Sequence, residues 1–336
     1  MKMRFLGNSG LKISELCFGT MTFGGSGYWG TIGKQTQKEA NDLVRIAIEG
    51  GINFFDTADI YSWGTSEKML GKALGKRRQD IILATKVRGK MSDKPNDIGL
   101  SRHHIIEGCN ASLKRLGTDF IDLYQVHNWD HAAPIEETMR ALDDLVGSGK
   151  VRYIGCSNFT GWQLMKAIAT SERYLLSKFI TIQSYYSLMN RELEFEIIPA
   201  CLDQGLGILT WSPLAGGFLT GKYRRGQSRP QNMRRSNADG NFLQFDEEKG
   251  YEVVDELDKI AERHNSTITQ VALNYLLRKP AVSSLVIGAR TPDHLRDILK
   301  TVNWELTAEE IKRLDEISKP PRIYPYWMQD FMRSER

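Results

Sequence analysis

Four side chains that could together move a proton stand at separate places along the chain: Asp56, Tyr61, Lys86 and His127. Three of them come at or just after the end of a short apolar run, and Tyr61 follows Asp56 by five residues. A phenol ordinarily has a pKa of about 10, so it is a poor acid at neutral pH. A neighbouring ammonium lowers that pKa, and a carboxylate keeps the ammonium charged and oriented. The set therefore predicts a phenol that donates a proton while an imidazole orients the acceptor.

Each of these residues also has a plain structural explanation, as a surface tyrosine, a strand-end ion pair or a hydrogen-bonded histidine. Their common position favours chemistry, because the strand ends of a parallel barrel open onto one face where catalytic groups gather. A second chemistry is open as well: a lysine at a strand end can form a Schiff base, as in an aldolase or lyase. Pairing of Lys86 with Asp56 argues against that reaction, which needs a neutral amine.

Eight short β-type runs alternate with amphipathic stretches and would position these groups. The predicted strands are Leu16–Phe18, Asn53–Asp56, Ile81–Lys86, Ile121–Val126, Val151–Gly155, Thr181–Tyr185, Gly207–Thr210 and Ser284–Ile287. The predicted helices between them include Gln37–Glu49, Ser66–Leu74, Ser101–Leu116, Ile135–Gly147 and Gly161–Ala169. This alternation favours an α/β fold of the (β/α)8 TIM barrel type over an open sheet.

Two segments add to the barrel. Met3–Leu6 and Leu11–Ile13 flank a turn-rich tetrapeptide and predict an N-terminal β-hairpin that plugs the barrel floor. The long stretch between Trp211 and about Glu247 predicts a long loop on the active face, either a lid or a disordered insert. No repeat or linker divides the chain, so residues 1–336 are expected to form a single domain.

The composition excludes several classes of partner. The chain of 336 residues has a net charge of only +4, with its basic residues dispersed, so a nucleic-acid partner has no electrostatic support. No apolar stretch approaches the roughly 20 residues that span a bilayer. The cysteines are far apart, which favours free thiols in a reducing cytoplasm over disulfides or zinc. They are Cys17, Cys109, Cys156 and Cys201.

Two other motifs carry little weight. Gly25–Gly30 fits a Gly-x-Gly-x-x-Gly pattern, but helix signals begin only near Gln37, too late for a dinucleotide-binding turn. His127 and His131 are four residues apart, yet the nearby strand end and Pro134 prevent a shared helical face. No metal site is expected.

The segment Gly51–Tyr61, followed by Ser66 and Glu67, resembles the signature of the aldo-keto reductase superfamily. The resemblance extends from Leu11 to about Leu299 and is to the branch with aryl-alcohol dehydrogenases and voltage-gated potassium channel β subunits. It implies an NADP-dependent reductase that converts a small-molecule aldehyde or ketone to an alcohol. A cofactor-binding redox sensor with little turnover stays open, because the branch includes channel subunits. The implied catalytic residues are Asp56, Tyr61, Lys86 and His127.

The resemblance also implies which residues hold NADPH or NADP+. Polar strand ends and an aromatic face would contact the nicotinamide. A helix N-terminus beside an arginine would grip the 2′-phosphate, which favours NADPH over NADH. The family's adenine-side Gln, Glu and Asn are replaced here by His294, Asp297 and Ile298, which weakens that contact. The implied cofactor-binding residues are Thr20, Met21, Asp56, Ser157, Asn158, Gln183, Trp211, Ser212, Pro213, Leu214, Lys222, Arg235, Gly288, Arg290, His294 and Asp297.

Several of these residues have alternative explanations. Ser157 and Asn158 suit a helix cap, Trp211 suits the core, and Lys222 suits a solvated loop. Four aromatic residues could line a pocket for aryl or medium-chain carbonyl substrates, or they could be rim packing. They are Tyr28, Trp29, Trp63 and Trp129. The sequence does not distinguish a monomer from a homo-oligomer.

Overall fold

The computed structural model describes residues 1–25, 27–227 and 243–333. Eight parallel strands, β3 to β10, form a closed barrel in chain order, and β10 pairs with both β9 and β3. The predicted (β/α)8 barrel is confirmed, and the predicted strand ends agree with the observed ones to within two residues. The strands are β3 (Leu16–Gly19), β4 (Phe54–Asp56), β5 (Ile82–Val87), β6 (Ile121–Val126), β7 (Val151–Ser157), β8 (Phe179–Tyr185), β9 (Gly207–Trp211) and β10 (Val282–Ile287).

The N-terminal hairpin closes the floor of the barrel. Its antiparallel strands are β1 (Met3–Phe5) and β2 (Lys12–Ser14). The Leu6 side chain is fully buried in the apolar cluster inside the barrel. Gly7 has a φ of 59°, and a Cβ at this position would lie 2.5 Å from the backbone oxygen of Gly205, so only glycine fits the turn. The predicted hairpin is confirmed, and its contacts place it against the strand starts.

Helices cover the outside of the barrel. Helix α1 has the predicted bounds because a capping box formed by Thr36 and Glu39 fixes its start. Its buried face, with Leu43 and Val44, packs on the barrel. The described helices are α1 (Gln37–Glu49), α2 (Thr65–Leu74), α3 (Arg102–Leu116), α4 (Ile135–Gly147), α5 (Gly161–Tyr174), α6 (Ile197–Gln204), α7 (Glu247–Arg263), α8 (Ile268–Leu277), α9 (Pro292–Leu299), α10 (Ala308–Ile317) and α11 (Tyr326–Arg333).

The region after β9 departs from regular alternation. Residues 215–220 form short 3₁₀ turns in which Gly216 and Gly217 have positive φ angles. Helix α7 begins at Glu247, where the predicted loop ends, and its N-cap Asp246 accepts hydrogen bonds from two backbone amides. Two helices, α7 and α8, then precede β10.

Two further features bear on the predictions from composition. All four cysteines are buried free thiols. Across the described ranges, no helix combines the length and apolar character required to cross a bilayer.

Candidate active site

The barrel brings the four predicted catalytic residues to one end. Asp56 is the last residue of β4, Lys86 is the penultimate residue of β5, and His127 directly follows β6. These strands are parallel neighbours, with Asp56 paired to Ala84 and Lys86 paired to Gln125. Tyr61 lies in the loop after β4, at the start of a 3₁₀ turn. All four side chains therefore belong to adjoining elements at the carboxyl ends of the strands.

A buried ion pair joins Lys86 to Asp56. The Lys86 Nζ atom lies 2.5 Å from Asp56 Oδ1, and it also donates to the Thr57 backbone oxygen at 2.9 Å and the Tyr61 hydroxyl at 3.4 Å. Burial opposes the ammonium charge, but Asp56 and Tyr61 outweigh burial and raise the pKa of Lys86 above its usual value. Lys86 is therefore a charged ammonium at neutral pH. A charged amine does not attack a carbonyl, which disfavours the Schiff-base reaction.

Two glutamines fix the other oxygen of Asp56. The Nε2 atoms of Gln125 and Gln183 lie 3.2 Å and 3.0 Å from Asp56 Oδ2 and donate to it. Gln125 was missed at the level of sequence, although a glutamine within the apolar run of β6 was an available signal. Gln183, which the resemblance assigns to the nicotinamide, thus also has a neighbour within the protein. With Lys86 on its first oxygen, the Asp56 carboxylate cannot rotate without losing several hydrogen bonds.

The His127 imidazole meets the Tyr61 ring edge to face, with the centroids 5.6 Å apart and the planes at 78°. Desolvation, together with the cations Lys86 and Arg88, lowers the pKa of His127 to about 3. The ring is therefore neutral at pH 7, so it can donate or accept a hydrogen bond without carrying charge. Arg88, also missed at the level of sequence, directly follows β5 and has a φ of 142°, which is rare outside glycine.

The backbone after Tyr61 is held in an unusual conformation. Ser62 and Trp63 have φ angles of 49° and 48°, although neither is a glycine. Left-handed backbone costs such residues roughly 1 kcal/mol or more each, and it persists only where the surroundings fix it. The Ser62 hydroxyl provides one such tether, since it donates to the Phe23 backbone oxygen at 3.1 Å. The strained residues directly follow Tyr61, which presents the phenol.

The first loop supports this arrangement from the side. The Thr20 backbone amide donates to the Asp56 backbone oxygen at 2.9 Å, and the Ser66 hydroxyl donates to the Thr20 backbone oxygen at 2.8 Å. Met21 packs against a small apolar cluster that contains Trp29 and Tyr61. Thr20 and Met21, implied as cofactor contacts, therefore lie beside the catalytic residues.

Aromatic side chains surround one side of Tyr61. The Trp29 ring lies 5.5 Å from the Tyr61 ring, and Tyr28 and Trp63 contact Trp29 at 5.4 Å and 6.4 Å between centroids. Tyr28 and Trp63 are about half exposed, at 47% and 48%. These three rings form a wall beside the phenol, as a substrate pocket would require.

Trp129 belongs to a different group of rings. Its ring lies 5.2 Å from Phe159 and 5.5 Å from Trp162. No ring contact joins it to Tyr61 within the part of the chain that the structure describes. The structure therefore separates Trp129 from the other three aromatic candidates.

Asn158 connects His127 to Trp211, the residue predicted to stack on the nicotinamide. Its Nδ2 atom donates to the His127 backbone oxygen at 3.0 Å, and its Oδ1 accepts from Trp211 Nε1 at 2.9 Å. Trp211 stacks on Tyr185 at 5.0 Å. The helix-cap alternative for Asn158 is wrong, because Thr160 caps α5. Ser157 is the last residue of β7 and is buried beside this group.

The residues after β9 and β10 approach each other. Ser212, Pro213 and Leu214 directly follow β9, and Ser212 has a φ of 48°. Burial and the charge of the Arg290 guanidinium lower the pKa of Lys222. Arg235 lies outside the described residues.

At the start of α9, Gly288 leaves open space beside the backbone, whereas the Asp297 side chain has partners within the protein. Gly288 follows β10 with open space where a Cβ would stand, and Thr291 caps α9 by accepting the His294 amide. Asp297, by contrast, accepts from Thr267 Oγ1 at 2.9 Å and Gln270 Nε2 at 2.7 Å. Its carboxylate therefore fastens α9 to α8.

Arg290 is positioned by the first loop. Its Nη2 atom donates to the Ile32 backbone oxygen at 3.1 Å, and its own backbone oxygen accepts from Gln35 Nε2 at 3.5 Å. A guanidinium is suited to a phosphate, because it can donate paired hydrogen bonds to phosphate oxygens. In the described ranges, no group of three or more His, Cys, Asp or Glu side chains is placed to hold a metal ion.

The chain is similar to several known proteins. The model of the aldo/keto reductase family matches residues 15–319. Versiconal hemiacetal acetate reductase of Aspergillus parasiticus is 36% identical, over 97% of this chain and 99% of that protein. A "putative voltage-gated potassium channel subunit beta" of Schizosaccharomyces pombe is 39% identical, over 94% and 92%. A "putative aryl-alcohol dehydrogenase" of the same yeast is 36% identical, over 93% and 94%.

Proposed function

This chain belongs to the aldo/keto reductase family, and we propose that it is an NADP-dependent oxidoreductase that reduces aldehydes or ketones to alcohols. One observation carries the proposal. The Tyr61 hydroxyl lies 3.4 Å from a Lys86 ammonium that is paired with Asp56, and a neutral His127 ring packs against the phenol. This arrangement is suited to giving a proton to an oxygen on which negative charge develops.

NADPH, when bound, supplies the hydride that reduces the carbonyl carbon. Tyr61 donates its hydroxyl proton to the carbonyl oxygen, so hydride and proton together complete the alcohol. The phenolate that remains is stabilised by the Lys86 ammonium, which the Asp56 carboxylate holds in place. His127, neutral because its pKa is about 3, donates a hydrogen bond that orients the same oxygen. No residue has to change its charge before the substrate binds.

The residues around the site fit an anionic dinucleotide. Lys222 and Arg290 would hold its phosphates, and Trp211 with Asn158 would lie at the nicotinamide end. Arg290 favours the 2′-phosphate of NADPH over NADH, because a guanidinium binds a phosphate dianion through paired hydrogen bonds. Arg235 would add a further cation.

The aromatic wall favours a flat, apolar substrate. Trp29 contacts Tyr61, and Tyr28 and Trp63 contact Trp29, so a substrate that reaches the Tyr61 hydroxyl would lie near these rings. Aromatic rings of a substrate can pack edge-on or offset against such side chains. One relative supports this substrate class, since its name describes an aryl-alcohol dehydrogenase.

A second candidate is a cofactor-binding regulatory subunit with little turnover. It is favoured by the similarity to a potassium channel subunit beta. The intact pair of Lys86 and Asp56, together with the neutral His127, favours the enzyme. A Schiff-base lyase is disfavoured because Lys86 is charged.

Replacing Tyr61 by Phe tests the proposal. We expect NADPH oxidation with benzaldehyde to slow by about 10²-fold or more, the contribution typical of general acid catalysis. The affinity for NADPH, measured by the quenching of protein tryptophan fluorescence, should change little because Phe keeps the aromatic ring of Tyr61. Undiminished turnover in this variant would rule out the assigned role of Tyr61. Absence of turnover in the unmodified protein, with NADPH bound, would favour the regulatory subunit.

A further inference from the structure

Arg88 is the first residue after β5, two positions beyond Lys86, and the proposed reaction uses no atom of its side chain. The His127 amide donates at 2.9 Å to the Val87 backbone oxygen, which belongs to the peptide that joins Val87 to Arg88. Strands β5 and β6 are neighbours in the barrel. Arg88 and His127 therefore stand side by side where these two strands end.

The backbone of Arg88 is held in a strained conformation by its surroundings. Its φ angle is 142°, although it is not a glycine. The Arg88 amide hydrogen-bonds to the Asp59 carboxyl group, and the Arg88 backbone oxygen accepts from the Gly99 amide at 3.0 Å. The next residue, Gly89, packs so closely on Ile60 that a Cβ there would lie 2.5 Å from the Ile60 Cβ. Strain that the surroundings fix in this way is typical of functional sites.

The Arg88 guanidinium has no anionic partner within the described parts of the chain. Its Nε atom is buried and makes no hydrogen bond there. The two terminal Nη atoms make none either, and they are not among the buried unpaired atoms, so the end of the side chain is accessible. A partly buried cation ordinarily pairs with an anion, because an unpaired charge away from water is costly. The missing anion points to a ligand.

The charge of this guanidinium acts on the proposed active site. Burial, Lys86 and Arg88 together lower the pKa of His127 to about 3. His127 and Trp29 both contact the Tyr61 ring, with centroids 5.6 Å and 5.5 Å away. A substrate whose carbonyl oxygen meets Tyr61 and His127 would therefore lie near the aromatic wall and near an uncompensated positive charge.

The neighbouring cations already have anionic partners. Lys86 pairs with Asp56 at 2.5 Å, and Lys90 pairs with Asp93 at 2.7 Å. Arg88 is thus a single available positive charge, which matches a monoanion rather than a phosphate dianion. A carboxylate fits best, because its two oxygens are spaced to accept paired hydrogen bonds from the planar guanidinium.

We propose that Arg88 determines specificity by binding a carboxylate group of the substrate, so that the chain reduces aromatic aldehydes or ketones that carry a carboxylate. This inference rests on the proposed reductase function and adds a charged group to the aromatic substrate. The terminal amines of Arg88 donate to the carboxylate, the aryl ring lies near Trp29, and the carbonyl oxygen faces Tyr61 and His127. The carboxylate takes no part in the reaction: the hydride of NADPH forms the new C–H bond, Tyr61 supplies the proton, and the carboxylate is unchanged.

Paired substrates test the role of Arg88. The 2-, 3- and 4-carboxybenzaldehydes are compared with their methyl esters, which keep the ring and remove the charge. In the unmodified protein, kcat/KM for at least one acid should exceed that for its ester by about tenfold or more, the size of a charge-assisted hydrogen bond. In Arg88→Gln this ratio should fall to about one. The ratio cancels any general effect of the substitution on turnover.

Two further variants separate charge from geometry and from nonspecific effects. Arg88→Lys keeps the positive charge but loses the planar pair of donors, so its ratio should lie between those of the unmodified protein and Arg88→Gln. Arg173→Gln removes an exposed arginine on α5, far along the chain from the strand ends. Its ratio should equal that of the unmodified protein.

Binding of unreactive analogues gives a readout that does not require turnover. The three carbamoylbenzoates keep the carboxylate and replace the aldehyde by an amide, and the corresponding benzenedicarboxamides are neutral. Isothermal titration calorimetry of the full chain, with saturating NADP+, measures both. At least one carbamoylbenzoate should bind about tenfold or more tightly than its diamide, and Arg88→Gln should remove the difference.

The outcomes distinguish this inference from the proposed function. Turnover of benzaldehyde and the esters, with no preference for any acid, would overturn the role of Arg88 and leave the reductase function in place. A preference that persists in Arg88→Gln would overturn that role as well. Absence of turnover with every aldehyde would contradict the reductase function instead. Calorimetry then decides on Arg88 alone, and equal binding of each carbamoylbenzoate and its diamide would overturn the carboxylate site.

Discussion

Replacing Asp56 by Asn should leave Lys86 buried without its counter-charge. In the native chain Lys86 is fully buried and lies 2.5 Å from Asp56 Oδ1. Breaking a buried pair by removing one partner typically costs about 3–5 kcal/mol, because the other charge stays buried. The free energy of unfolding at pH 7 should therefore fall by about that amount.

The pH dependence of this loss identifies its cause. In the native chain the folded-state pKa of Lys86 is raised above its ordinary value of 10.5. The ion pair therefore stabilises the fold fully below about pH 10.5, and this stabilisation is lost only as pH rises through the folded-state pKa. Without Asp56, burial lowers the folded-state pKa of Lys86 below that of the unfolded chain. The unfolded state then binds more protons, so the variant gains up to about 1.4 kcal/mol per pH unit as pH rises. The difference between the two proteins should shrink toward pH 9.5.

Urea unfolding of both proteins between pH 7 and 9.5 measures this difference, and the other titrating groups cancel in the subtraction. Asp93→Asn is the control, since Asp93 forms an exposed pair with Lys90. Exposed pairs contribute about 0–1 kcal/mol, so the control should change stability little at any pH. A loss for Asp56→Asn that stays constant with pH would refute the reasoning that Lys86 is a buried ammonium held charged by Asp56.

Three further predictions concern the cofactor, the imidazole and the substrate. Arg290→Ala should weaken NADPH binding by roughly 1–3 kcal/mol, the size of a charge-assisted hydrogen bond, and barely change NADH binding; equal losses in fluorescence titrations would contradict the phosphate contact. Because the pKa of His127 is about 3, kcat/KM should show no inflection near pH 6.5; an inflection there that His127→Gln removes would show that the ring titrates in the ordinary range. Trp63→Ala should raise KM for benzaldehyde by about 2- to 12-fold, corresponding to roughly 0.5–1.5 kcal/mol of ring contact, and leave KM for propanal unchanged; equal effects on both aldehydes would remove Trp63 from the aryl pocket.

Features that depend on residues close together in the sequence could be predicted. Asp56, Lys86 and His127 each terminate an apolar run, and parallel strands in a barrel bring such positions to one face. Helix α1 was predicted to the residue from the spacing of its apolar residues, and in the structure a capping box of Thr36 and Glu39 fixes its start. Here the chemistry of a few neighbouring residues is enough to set the structure.

Features set by tertiary contacts were not predictable from local sequence. Gln125 reaches Asp56 only because β6 and β4 both line the barrel interior. Ser62 and Trp63 adopt a left-handed backbone conformation, which sequence normally indicates by a glycine, and neither residue is one. Trp129 could pack on either side of its loop, and the rings that decide between them lie about thirty residues away, at Phe159 and Trp162.

Asp297 illustrates the same limit at the cofactor end. Its position in the sequence matches a family contact, but Thr267 and Gln270 take up both of its oxygens. Thr267 is the N-cap of α8 and Gln270 lies in its first turn, about thirty residues earlier in the chain. Only the packing of α9 on α8 reveals that the carboxylate has a structural role.

A crystal structure of the complex with NADP+ and an unreactive carbonyl analogue tests the central claim most directly. The account predicts that the Tyr61 hydroxyl stays within about 3.5 Å of Lys86 Nζ and comes within about 2.6–3.2 Å of the analogue's oxygen, the reach that proton transfer requires. A Tyr61 hydroxyl turned away from both, with the coenzyme in place, would contradict it.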